Sequence, residues 1–263
     1  MTTTRRHFLA TSAAAAGAIT LLPYAAMAEA HASNTFAAAA GDVTVHPIEH
    51  ASFVMRTPVG TIFTDPVGDA AMYADYGTPD LILVTHEHGD HYEVETLTAL
   101  VGENTQIITN PAVYAMLPDE LKAKATEMAN GDSGEYNGLA IDAVPAYNTS
   151  EGLLQFHPQG RDNGYVLSFD GLRVYISGDT EDTPEMRALE NIDVAFICMN
   201  LPYTMDKEAA ASAVAEFLPK YVYPYHYRGQ DGGTQNPEEF AALIGDTANV
   251  IIGNWYDDAV MPA

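Results

Sequence analysis

The apolar positions of this chain change period several times, and each change marks an element. Short runs of β-type residues, VTVHPI, SFVMRT and TIFTDP, are separated by turn signals that include Pro58 to Gly60, and they predict strands. Leu81 to Thr85 is an unbroken apolar run ending in polar residues, the pattern of a strand buried on both faces. From Glu93 to Val101 the period becomes helical, TQIITN predicts a strand, and Asn110–Pro111 opens a helix through Leu117. A further acidic–basic helix follows Pro118, LAIDAV is a strand, and a polar loop runs from Pro145 to Asn163. GYVLSF and LRVYIS flank Asp170–Gly171 and predict a hairpin. Thr183–Pro184 starts a helix, DVAFIC is a strand, Asp206 to Phe217 is a helix, YVYPYH is a strand, Asn236–Pro237 caps a helix, and NVIIG is the last strand. Strands followed by strand–helix alternation thus occur twice. Two such halves predict two sheets packed face to face with helices outside, and no linker divides them.

The first thirty residues stand outside this pattern. Arg5–Arg6, Phe8–Leu9, an alanine-rich stretch and small residues at Ala26, Ala28 and Ala30 read as a signal peptide of twin-arginine type. Residues 31–41 read as a flexible lead-in, and residues 42–263 as one domain. The expected location is periplasmic or secreted, with no membrane anchor retained. Acids outnumber bases 36 to 11 over 263 residues, a formal charge of −25 that disfavours nucleic acid and anionic membranes as partners. A small-molecule substrate is the expected partner. The single cysteine, Cys198, lies in an apolar run and reads as a buried, inert thiol.

Candidate chemistry concentrates in VTHEHGDHY, residues 84–92, where the buried strand ends. Three of the nine histidines, His86, His88 and His91, occupy six positions, together with Asp90. Imidazoles and carboxylates crowded at a strand end are costly unless a cation orders them. A loop of this spacing can turn His86 and His88 to one side and Asp90 and His91 to the other, building two adjacent sites suited to zinc or a harder ion. HEHGD is not H-E-x-x-H, there is no paired-cysteine zinc framework, and G-x-S-x-G is absent.

THEHGDH resembles the H-x-H-x-D-H signature of the metallo-β-lactamase-fold superfamily. HASFVMRTPVGTIFTDP is similar to that superfamily's opening strands, VYISGDTED to the strand that ends in an aspartate, here Asp179, and YVYPYHYRG to the one that delivers a last histidine, here His226. The resemblance runs from Val43 to Val260 and is nearest to the branch of ascorbate-phosphate lactonase-like hydrolases; the phospholipase D acting on N-acyl phosphatidylethanolamine is more distant. It implies an α/β fold, a four-layer αββα sandwich of two mixed β-sheets. It also implies a hydrolase in which a metal-activated water attacks a lactone, ester, amide or phosphodiester.

The same resemblance implies two zinc ions, with Mn2+ or Fe2+ as alternatives. His86, His88 and a third histidine would hold one, Asp90, His91 and His226 the other, and Asp179 would bridge. The usual position of the third histidine is Asn148 here; an amide is a poor ligand beside imidazole, so the role is assigned to His157. Asp90 would orient the water, His50 would face the substrate or support the site, and Asp65 would orient the metal loop. Arg228, Arg161, Tyr203 and Tyr227 are candidate substrate contacts. The rival readings are a metal-binding protein without turnover and an iron-dependent redox enzyme of the same fold; His88 in place of that subgroup's acid argues against the second.

Overall fold

In the computed structural model, residues 34–229 and 233–256 are described; the twin-arginine segment lies outside them. The strands are β1 (Thr35–Ala38), β2 (Gly41–Glu49), β3 (Ser52–Thr57), β4 (Gly60–Thr64), β5 (Leu81–Val84), β6 (Gln106–Thr109), β7 (Ala125–Glu127), β8 (Ser133–Tyr136), β9 (Leu139–Ala146), β10 (Asp162–Phe169), β11 (Leu172–Ile176), β12 (Val194–Cys198), β13 (Tyr221–Tyr225) and β14 (Asn249–Val250). The helices are α1 (Val94–Leu100), α2 (Pro111–Met116), α3 (Asp119–Lys122), α4 (Pro184–Arg187), α5 (Lys207–Phe217) and α6 (Pro237–Ile244).

The strands form two seven-stranded sheets, β1 to β7 in chain order and β14 back to β8. Each is antiparallel through its first four strands in sequence and parallel through the rest, which is why the pattern repeats. This is the two-sheet mixed α/β architecture expected.

Strand alternation sorts side chains between two cores. Phe53 on β3 stacks on Phe196 of β12 at 4.2 Å between ring centroids, joining the sheets. Its neighbour Val54 faces the other way and packs with Phe63, Ile82, Val84, Leu97 and Val113 under α1 and α2. β5 is buried on both faces, as its unbroken apolar run requires. The helix starts follow their caps: Asn110 accepts from the Val113 N–H and Asp206 from the Ala209 N–H, while Thr183 accepts from the Met186 N–H.

Three strands were not expected. Thr35–Ala38, placed in a flexible lead-in, forms β1 and pairs with Gly41–Thr44 of β2. Phe36 explains it: its ring is buried, 5.1 Å from that of Tyr221 on the facing sheet. β7 and β8 are short, mostly polar edge strands, which carry no periodic signal.

Candidate metal centre

The candidate residues gather where the parallel strands end, the edge at which open α/β sheets build ligand sites. Asp65 follows β4, His86 to His91 follow β5, Asp179 follows β11 and His226 follows β13. His50 sits in the β2–β3 turn and His157 in the loop from β9 to β10. His50, Asp65 and His226 have φ of 55°, 43° and 48°. A left-handed backbone at a non-glycine residue costs about 1–2 kcal/mol, and three such residues at one centre show that packing holds them there. Gly178 makes the approach of Asp179 possible: its φ is +62°, and a Cβ would lie 2.8 Å from the Asn163 carbonyl.

Three sets of donor atoms lie within 4.8 Å of one another: His86, His88 and His157; His86, His91 and Asp179; and His50, Asp90 and His226. Asp179 spans them. Its Oδ1 is 3.4 Å from His91 Nε2, and its Oδ2 is 3.4 Å from His226 Nε2 and 3.6 Å from His157 Nε2. Asp90 Oδ2 is 3.3 Å from His226 Nε2 and 3.4 Å from His50 Nε2. Donor atoms on one tetrahedral zinc, with bonds of about 2.0–2.1 Å, stand about 3.3–3.4 Å apart. The Nε2 atoms of His86, His91 and His157 and Asp179 Oδ1 are buried and, among the described residues, make no hydrogen bond, the contacts of His91 and His157 with Asp179 being long ion-pair distances. Buried orphans of this kind are rare unless a ligand completes them.

The opposite ring nitrogens are occupied. His91 Nδ1 is 2.8 Å from Asp65 Oδ2, His157 Nδ1 is 2.9 Å from Asp162 Oδ2, and His86 Nδ1 is 3.0 Å from Thr85 Oγ1. Such partners fix the tautomer and aim Nε2 at a metal. Asp65 also accepts from the Thr85 N–H and hydroxyl, tying the metal loop to β4.

Burial, with His91 beside it, holds the His86 imidazole well below its ordinary value, and burial also lowers His88 and His50. Neutral imidazoles are the ligating form. For Asp179, burial is outweighed by His226 and His91, which hold its carboxyl well below the carboxylate range. Burial likewise opposes a charge on His91, but Asp179 and Asp65 hold it well above its ordinary value.

The ligand grouping differs from the sequence expectation in one respect. His91 faces Asp179 and His86, and the third neighbour of Asp90 and His226 is His50, whose ring lies 3.9 Å from that of His226. His157, not Asn148, joins His86 and His88. Asn148 instead donates to the carbonyls of Leu153 and Tyr203 and shapes the loop, its own N–H donating to the His157 carbonyl.

Arg161 is not free to bind substrate. Its Nε donates to Asp162 Oδ1 at 2.6 Å, its guanidinium reaches Glu87 Oε1 at 2.8 Å, and it donates to the Phe156 carbonyl at 2.6 Å. It therefore clamps the His86–His91 loop to the segment carrying His157. Tyr203 packs edge-on against Phe156, and Tyr227 against Tyr256. Cys198 is buried, with its thiol pushed up to about 12 by burial. Arg161→Met should weaken metal binding about tenfold in a chelator competition, because it loosens the residues that aim two ligand groups. Wild-type affinity in that variant would show that the clamp is dispensable.

A profile described as a Beta-lactamase superfamily domain matches residues 44–226. The chain is 31% identical over 220 residues to a UPF0173 metal-dependent hydrolase of Pyrococcus horikoshii, covering 80% of this chain and 96% of that one. A crystal structure from Parabacteroides distasonis, provisionally named a metal-dependent hydrolase, is 40% identical over 84% of this chain and 98% of its own, with a TM-score of 0.75. The diiron β-hydroxylase CmlA of Streptomyces venezuelae shares the fold alone, at 16% identity and a TM-score of 0.63 over 80% of this chain and 53% of its own. The chain belongs to the metallo-β-lactamase superfamily and, within it, to the UPF0173 family of metal-dependent hydrolases.

Proposed function

We propose that the protein is a dinuclear zinc hydrolase that cleaves a lactone, ester, amide or phosphodiester. The observation that carries this reading is the convergence of three buried, unpartnered Nε2 atoms on a carboxylate that reaches both donor sets. An imidazole-rich donor set suits zinc; Mn2+ and Fe2+ are the alternatives. His86, His88 and His157 would hold one ion, and Asp90 and His226, with His50 or His91, the other, with Asp179 between them. Bound there, two zinc ions would supply a water of low pKa and an electrophilic centre for the substrate oxygen.

The protein's own groups then orient the reaction. Burial acts against the Asp90 charge, but hydrogen bonds from His226 and His50 hold its carboxyl far below the usual range, so it stays ionised. Its side chain is 44% exposed, and it is the carboxylate placed to accept a hydrogen bond from the attacking water. His50 supports it from the β2–β3 turn. The arginine pair and apolar stretch of residues 1–30 support export by the twin-arginine route, which cell fractionation tests. For the reaction, chelated protein would be reloaded with zinc, manganese or iron and offered lactones, esters, amides and phosphodiesters. Zinc-dependent turnover of one class is expected; turnover restored by iron alone would overturn the zinc assignment.

A further inference from the structure

Resting on that hydrolase reading, we infer that the substrate carries a carboxylate or phosphate group, and that Arg228 holds it in a cleft beside the metal centre. The cleft has a volume of about 430 Å³ and is lined by Ile48, Glu49, Met72, Arg228, Trp255 and Tyr256 among others.

Two of the five arginines among the described residues, Arg161 and Arg187, carry ion pairs, while Arg56, Arg173 and Arg228 do not. Among the described residues, Arg228 has no ion pair, even with Glu49 in the same cleft, and its Nε is buried without a hydrogen-bond partner. Its guanidinium instead lies 4.1 Å above the Tyr256 ring. The ring contact leaves the guanidinium without a carboxylate partner among the described residues, and its fork is the shape that carboxylates and phosphates match.

The cleft is coupled to the centre through one side chain. The backbone N–H of Arg228 donates to Tyr256 Oη at 3.4 Å, and that hydroxyl is 2.8 Å from His50 Nδ1. With Nδ1 held on that hydroxyl, the opposite ring nitrogen of His50, Nε2, is turned towards Asp90 Oδ2. Tyr256 and His50 thus stand between Arg228 and Asp90, and a substrate long enough to span them could be held by Arg228 while its reacting group lies at the centre.

The test pairs each scissile bond with an anionic and a neutral neighbour: a carboxylated and an uncharged lactone, and a phosphate-bearing ester with its methylated form. Metal-loaded wild type should favour the anionic member in kcat/KM, and Arg228→Met should lower kcat/KM for that member by about 10- to 100-fold while sparing the neutral one and the metal content. The carboxylate and phosphate arms show which anion is read. Arg228→Lys should recover part of the preference, since charge returns without the planar fork. Equal losses on both members, or no anionic preference in wild type, would overturn the subsite. Binding of inorganic phosphate by the metal-loaded protein separates this from failure of the hydrolase reading. Tighter binding in wild type than in Arg228→Met supports the subsite even without turnover, and equal binding overturns it.

Discussion

Asp179→Asn should bind one metal ion fewer than wild type and lose about three orders of magnitude in turnover, while remaining folded. The carboxylate stands 3.4–3.6 Å from the Nε2 atoms of His91, His157 and His226, so it belongs to both halves of the centre. Two cations at close range repel each other, and an anion between them offsets that repulsion. The amide keeps the size but removes the charge. Loss of a metal-activated nucleophile costs several kcal/mol of transition-state stabilisation, which sets the size of the rate effect. The fold should survive, because the residue lies beyond β11 and the following helix is capped by Thr183. Elemental analysis, thermal midpoint and rate would be read on one preparation. A variant with full metal content and a near-normal rate would refute the bridging role.

His157→Ala should empty the half of the centre that it shares with His86 and His88 and cut turnover by at least two orders of magnitude. Asn148→Ala should behave differently. Its side chain donates to two carbonyls in the loop, so its loss costs about 1–3 kcal/mol of stability and leaves metal content nearly intact. Metal content and thermal midpoint of the two variants separate the roles. Metal loss in Asn148→Ala with retention in His157→Ala would reverse the assignment.

The parts of the centre legible in the sequence are those that are local. His86, His88, Asp90 and His91 lie together because they share one loop, and Asp179 and His226 follow apolar strands whose ends meet at the same edge. His157 was reachable because Asn148 is chemically unsuited to the role. What the sequence left open depends on contacts between distant segments. His50 was singled out, but its place beside Asp90 and His226 arises only because the β2–β3 turn of one sheet meets the end of β13 on the other. Asp162 aims His157, yet nothing in its sequence context marks it. Arg161 looked available because bases are scarce, whereas Glu87 and Asp162 engage it from both sides. In the fold, the long apolar runs were readable, while β1, β7 and β8 are set by pairing partners and by one buried ring, Phe36.

The most direct measurement is the metal stoichiometry of the purified protein, stripped with chelator and titrated with zinc while bound metal and activity are followed together. Two zinc ions per chain, with activity rising to its plateau only as the second binds, is the predicted result. A single ion per chain at saturation, with full activity, would contradict the dinuclear centre.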